Sequence, residues 1–298
     1  MSYLGLLFPK TNQWRLKFTR DQLMMLLAAV NLLSLGLETY LAHLISGTIV
    51  PREYIPIYFG FASGIILLVA GLIALRQRAL ATWLATIVLV SSIVVGLVGT
   101  YFHIIRAVLP SAPEGARVSL SLLVWAPPIL APLTFALVGL WGLSAAWIEK
   151  PVNSGVLQIG AGKTLSLPYS KTQAYLFMIS MGTLITLISS VLDHARSSFE
   201  NPWLWVPVVA GVLGTIIPAG LAALTKPKPG DVAMHVVAMI VLILAGVMGA
   251  AFHVRFDLTT EFVVVPERFI RGAPFLAPML FANMGLFGLI AILPPEEE

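Results

Sequence analysis

Two stretches decide the fold: Gly96-Leu-Val-Gly99-Thr-Tyr-Phe102-His103 and Gly246-Val-Met-Gly249-Ala-Ala-Phe252-His253, in which Gly, Gly, Phe and His recur at one spacing, 150 residues apart. Working outward, Pro128-Ile-Leu-Ala131-Pro132-Leu-Thr-Phe135 answers to Pro274-Phe-Leu-Ala277-Pro278-Met-Leu-Phe281 at an offset of 146. Each is followed by a matched glycine pair, Gly139/Gly142 and Gly285/Gly288. His43 and Pro56 match His194 and Pro207 at an offset of 151. The offset drifts only where loops change length, as in a duplicated unit.

The setting of the repeat is apolar. Hydrophobic residues make up 58% of the chain, charged residues 11%, and mean hydropathy is +0.92. A bilayer-spanning helix needs roughly 20 mostly apolar residues. Eight stretches qualify, near 22–46, 54–75, 80–107, 119–147, 173–195, 203–224, 232–255 and 272–293. The expected fold is therefore an all-α integral membrane protein of eight transmembrane helices in two tandem four-helix repeats. Four spans per copy is an even number, so both copies point the same way and the pseudo-two-fold runs along the membrane normal. The expected divisions are a cytoplasmic interfacial segment at 1–20, repeats at 21–147 and 173–298, and a cytoplasmic linker at 148–172.

Orientation follows from the basic residues. Lys10, Arg15, Lys17, Arg20, Arg76, Arg78, Lys150, Lys163, Lys171, Lys226 and Lys228 fall on one side, against Arg52, Arg106, Arg117, Arg196, Arg255, Arg268 and Arg271 on the other. The lysine-rich side is read as cytoplasmic, with both termini on it, in a bacterial cytoplasmic (inner) membrane. A net charge of +4 then reflects topology and lipid contact, and no nucleic-acid partner is expected. No signal peptide is legible, since the basic cluster follows the short apolar start. Residues 3–20 read as an interfacial segment.

The Gly160-Ala-Gly162-Lys163-Thr164 run faintly resembles a phosphate-binding loop, but position 157 is Leu where that motif needs Gly. It is read as linker. The chain has no cysteine, so disulfides, thiolate-held clusters and covalently attached haem are excluded.

His43, His103, His194 and His253 sit at the outer ends of the odd-numbered spans, where ionisable residues are functional candidates. Interface histidines that merely face water are the plain alternative. At about 100° per residue, Ser92, Gly96, Gly99 and His103 share one stripe, as do His235, Met239, Gly246, Gly249 and His253. Thr183, Thr186, Ser190 and His194 share another; Asn31, Ser34 and Glu38 share a third, off the line of His43. The glycines either let helices pack closely or clear room for a flat cofactor.

The specific expectation is haem b, held between facing helices by His43 with His103 and by His194 with His253. Arg106 and Arg255 are candidates for its propionates. The four histidines with Glu38 and Asp193 form the competing expectation, a metal site. Matched prolines, Pro128/Pro132 and Pro274/Pro278, break spans four and eight on the same outer side, a pattern also found at transporter substrate sites.

No hydrolytic motif is visible. Three functions remain open. The first is a membrane subunit of a redox or electron-transfer complex, holding haem b or quinone near the outer leaflet and docking other subunits outside. The docking loops would be 107–118 and 256–271, with Glu114, Asp257, Glu261, Glu267, Arg268 and Arg271. The second is a pseudo-symmetric transporter or channel for a metal ion, proton or small solute. The third is a structural anchor of a larger assembly.

Overall fold

The computed structural model describes residues 3–13, 17–44, 47, 49–108, 112–160, 162–258 and 264–295. Its long helices are α2 (Arg20–Leu44), α3 (Tyr54–Ala74), α4 (Arg78–Arg106), α7 (Lys171–Ala195), α8 (Trp205–Ala223) and α9 (Pro229–Asp257), preceded by the short α1 (Tyr3–Leu7). Among the described residues these six long helices are apolar and long enough to cross a membrane, and the chain is membrane-embedded on that ground. Their outward faces carry bare Leu, Ile and Val, such as Leu72 and Ile87, which only a lipid solvent tolerates in such number.

Helix starts follow local chemistry. Ser170 opens α7 with a capping box: its Oγ accepts from Gln173 N, and Gln173 Oε1 accepts from Ser170 N at 3.0 Å. Pro229 opens α9 at a position whose N–H has no helical partner, and Asp231 Oδ2 accepts from Lys228 N at 2.8 Å.

The fourth and eighth stretches differ from the uniform spans expected. Instead of one helix over 119–147, α5 (Leu120–Trp125) stops before Pro127 and Pro128, turns fill 126–132, and α6 (Leu133–Ala146) resumes after Pro132. Likewise α10 (Pro266–Arg271) and α11 (Met279–Ala291) flank Pro274 and Pro278. Proline lacks the N–H for an i→i−4 bond and its ring clashes with the carbonyl four residues back. At 14 residues, α6 is about 21 Å long, short of a roughly 30 Å hydrocarbon layer.

The broken segments lie along part of the length of their neighbours. Segment 128–147 lies along α4 from His103, which reaches Pro128 O, to Thr86, whose Oγ1 accepts from Trp147 Nε1 at 3.1 Å. Those seventeen residues of α4 (103 − 86) rise about 26 Å. Segment 274–288 lies along α9 in the same way, between His253 and His235.

Each half packs α2–α3–α4–α6 or α7–α8–α9–α11 around a closed ring. The short helices α6 and α11 are the most buried and meet at the junction of the halves, where Trp141 stacks on Phe287 with ring centres 4.1 Å apart. Asn283 Nδ2 donates to Asn31 Oδ1 there at 2.8 Å.

The glycines decide how close these helices come. A Cβ on Gly96 would sit 2.9 Å from Ala136 Cβ and from Pro132 O; one on Gly246 would sit 2.9 Å from Ala282 Cβ and 2.8 Å from Pro278 O. On Gly99 it would meet Pro132 Cβ at 2.8 Å, and on Gly249 Pro278 Cβ at 2.9 Å. The space beside these glycines is filled by the proline-broken segments. It is a packing seam, and the reading of a cleared face for a cofactor edge is set aside at these four positions.

Residues 148–172, expected as a plain linker, contain a three-stranded antiparallel sheet, β1 (Ile148–Glu149), β2 (Val156–Gly160) and β3 (Lys163–Ser166), in the order β1-β2-β3. Gly160 and Gly162 take φ of +95° and +73° in the β2–β3 turn, which is why glycine stands there. The run resembling a phosphate loop is this hairpin turn. The N-terminal α1 does not simply rest on the surface. Leu4 N bonds Ile292 O at 3.0 Å, and Tyr3, Leu4, Leu6 and Leu7 pack on the core. Trp14, Arg15 and Leu16 of that segment lie outside the described residues.

Candidate functional site

The four histidines gather at one end of the bundle, and the rings of His43 and His103 are in contact there. His43, on α2, and His103, on α4, have ring centres 6.3 Å apart at an interplanar angle of 64°. His194, on α7, lies within electrostatic range of His253, on α9, and packs edge-on to Phe199 at 6.2 Å. All four are partly buried.

Their Nδ1 atoms are all engaged. His103 Nδ1 is 2.8 Å from Pro128 O, and His253 Nδ1 is 3.0 Å from Pro274 O. His43 Nδ1 is 2.8 Å from Thr39 O, and His194 Nδ1 is 3.3 Å from Ser190 Oγ. A carbonyl can only accept, so Nδ1 carries the proton in His43, His103 and His253. That makes Nε2 the basic nitrogen of each neutral ring. It is the tautomer that ligating histidines use when a backbone carbonyl holds the other nitrogen.

The remaining candidates are arranged otherwise. Arg106 Nη2 lies 3.5 Å from Glu53 Oε1, a half-exposed ion pair, while Glu53 Oε2 accepts from Val50 N at 3.1 Å. Arg255 is exposed. Asp193 pairs with Arg196 at 3.5 Å, within one helical turn. Glu38 is half-buried and has no hydrogen-bond or ion-pair partner among the described residues. Among the described residues no three His, Asp or Glu side chains converge as a metal centre.

Of the docking surface, Glu114, Glu267 and Arg268 are exposed. Asp257 is 1% exposed, so it is not part of one: its Oδ1 accepts from Ala273 N at 2.9 Å, and Oδ2 is buried without a partner. Glu261 and the side chain of Arg271 lie outside the described residues. Arg196 reaches across the junction of the halves. Its Nε donates to Val124 O at 2.8 Å and Nη2 to Ala126 O at 3.3 Å, capping the open carbonyls where α5 ends.

A second cluster, at the opposite end, escaped sequence reasoning. Lys171 and Arg20 are 0% and 2% exposed, although both were read only as topology signals. Lys171 Nζ lies 2.5 Å from Asp21 Oδ2 and 2.7 Å from Trp147 O. Arg20 Nη1 donates to Thr172 Oγ1 at 2.7 Å, and Tyr175 OH donates to Asp21 Oδ1 at 3.1 Å. Glu149 Oε1 accepts from the N–H of Gly155 at 2.8 Å and of Lys171 at 2.9 Å, while its Oε2 is buried without a partner. This cluster clamps both helix starts and the small sheet together. One signal was available: Arg20 and Lys171 are repeat partners at the same 151 offset, each opening a span.

His235, the fifth histidine, is fully buried; its Nε2 donates to Gly288 O at 3.0 Å. No family model, no curated protein and no solved structure matches this chain.

Proposed function

We propose that the protein is the membrane subunit of a redox complex. Its two four-segment halves, related by a pseudo-two-fold along the membrane normal, each carry a histidine pair at the outer end for one b-type haem. The carrying observation is the first pair. Two imidazoles on one metal, at about 2 Å per metal–nitrogen bond, stand with ring centres roughly 6 Å apart, and His43 and His103 stand at 6.3 Å. A pair with no third side-chain ligand among the described residues suits a metal whose other positions a macrocycle fills, and suits a bare ion poorly. His43 and His103 would hold one haem and His194 and His253 the other; bound there, haem supplies one-electron transfer.

Eight crossings in two alike halves are supported by the contacts repeated to about 0.1–0.2 Å at Gly96 and Gly246, Gly99 and Gly249, and His103 and His253. The height of the broken segments supports the same count. Docking of a partner subunit rests on the exposed Glu114, Glu267 and Arg268 at the same end as the histidines. The transporter reading draws on the same broken helices, but the two carbonyls named above already accept from histidines.

The purified protein should show a Soret band that sharpens and shifts when dithionite is added. A colourless protein ends the haem reading. For orientation, with both termini cytoplasmic, cysteine at Ala112 should react with an impermeant maleimide in intact cells and cysteine at Pro227 only after lysis. The opposite pattern inverts the topology.

A further inference from the structure

We infer that Pro132 and Pro278 are positioning residues for His103 and His253, acting by leaving a backbone carbonyl to each histidine. In a regular helix the carbonyl of residue 128 would accept from the N–H of residue 132, and that of 274 from the N–H of 278. Proline has no N–H, and its ring crowds the carbonyl four residues back. The displaced acceptors are Pro128 O and Pro274 O. Each keeps only a tight-turn bond, from Ala131 N at 3.2 Å and Ala277 N at 3.1 Å, and each takes its second donor from a histidine on the neighbouring long helix.

Two further features complete the device. The prolines seat on Gly99 and Gly249, one turn before the histidines, where a side chain would strike Pro132 Cβ or Pro278 Cβ. This close seat brings the broken segment within hydrogen-bond reach of the ring. The second is its repetition: Gly–x3–His on the long helix faces Pro–x3–Pro on the broken one in both halves. The prolines are thus tied to the histidines' protonation pattern. They fix the proton on Nδ1 and keep Nε2 basic, whatever Nε2 then binds.

The inference deepens the proposed function but stands or falls separately, because the tautomer is readable without any cofactor. In full-length protein labelled with 15N-histidine, the wild-type shifts of His103 and His253 should report Nδ1–H rings. Pro132→Ala restores the competing N–H at 132 and should move the His103 tautomer ratio roughly tenfold toward Nε2–H, the scale of one net hydrogen bond. His253 should be unmoved in that variant, and Pro278→Ala should give the reciprocal result. Pro127→Ala, which frees no carbonyl used by a histidine, should alter neither ring.

If the proline variants do not fold, His103→Ala serves instead: the 13C resonance of the Pro128 carbonyl should shift while that of Pro274 holds. An Nε2–H ring in the wild type, an unchanged His103 ring in folded Pro132→Ala, or an unmoved Pro128 carbonyl in His103→Ala would each overturn the inference. A colourless protein with the expected tautomers would overturn only the haem reading.

Discussion

Replacing Asp21 by Ala lowers the stability of the folded bundle by about 3–5 kcal/mol, the cost of leaving a buried ion without its partner. Asp21 is the carboxylate shared by Lys171 Nζ, Arg20 Nε and Tyr175 OH. Its removal strands two cations that are 0% and 2% exposed, at a point where neither can turn to water. The effect is large because Asp21 joins the first turn of α2 to that of α7, so both lose a common acceptor, while Glu149 continues to tie the β-sheet to α7. Lys171→Met in the same chain should restore part of the loss, since it takes away one of the stranded charges. Reversible unfolding in mixed micelles measures both variants. A loss under about 1 kcal/mol for Asp21→Ala would put the cluster on a par with solvent-exposed ion pairs and refute its role as the clamp.

On the proposed haem reading, in which each histidine pair would hold one haem, replacing His103 by Ala should remove about half the Soret absorbance per protein. His253→Ala should remove the other half, and the double variant all of it. The magnitude follows from geometry: each pair offers its iron only two imidazoles, and no other histidine is near enough to substitute, His235 being committed to Gly288 O deep in the bundle. Compared without cofactor, both variants should keep the wild-type melting behaviour to within about 1.5 kcal/mol, one net hydrogen bond to Pro128 O or Pro274 O. Pyridine haemochrome quantitation against protein concentration decides it. Full haem content in the folded double variant would remove these histidines as ligands.

Some of this molecule was legible in the sequence for one physical reason: lipid leaves few choices. Apolar runs of the right length must be helices, because a backbone in hydrocarbon has to satisfy its own hydrogen bonds. The ends of α2, α3, α4, α7, α8 and α9 therefore fall within a few residues of the expected spans. Recurrence at fixed offsets matched His43 with His194 and His103 with His253, while the up-and-down order of the spans set His43 facing His103, and those two rings stand 6.3 Å apart. What lay beside each glycine was not legible, since helical spacing fixes which residues share a stripe and is silent about what fills it.

By itself, then, the sequence determined the helical, membrane-embedded character, the positions of the long helices and the side of the bundle where the histidines gather. Periodicity and hydropathy are local properties, and these are local consequences. Only the tertiary structure decided that Pro132 and Pro278 seat on Gly99 and Gly249, and that His103 and His253 reach Pro128 O and Pro274 O. It also decided that Asp257 is buried, and that Arg20 and Lys171 share Asp21 across 150 residues of chain. Each of these depends on which long-range neighbour accepts a hydrogen bond or fills a gap. A charged or small residue carries the same local signature whether it faces water or a partner, so packing alone tells the two apart.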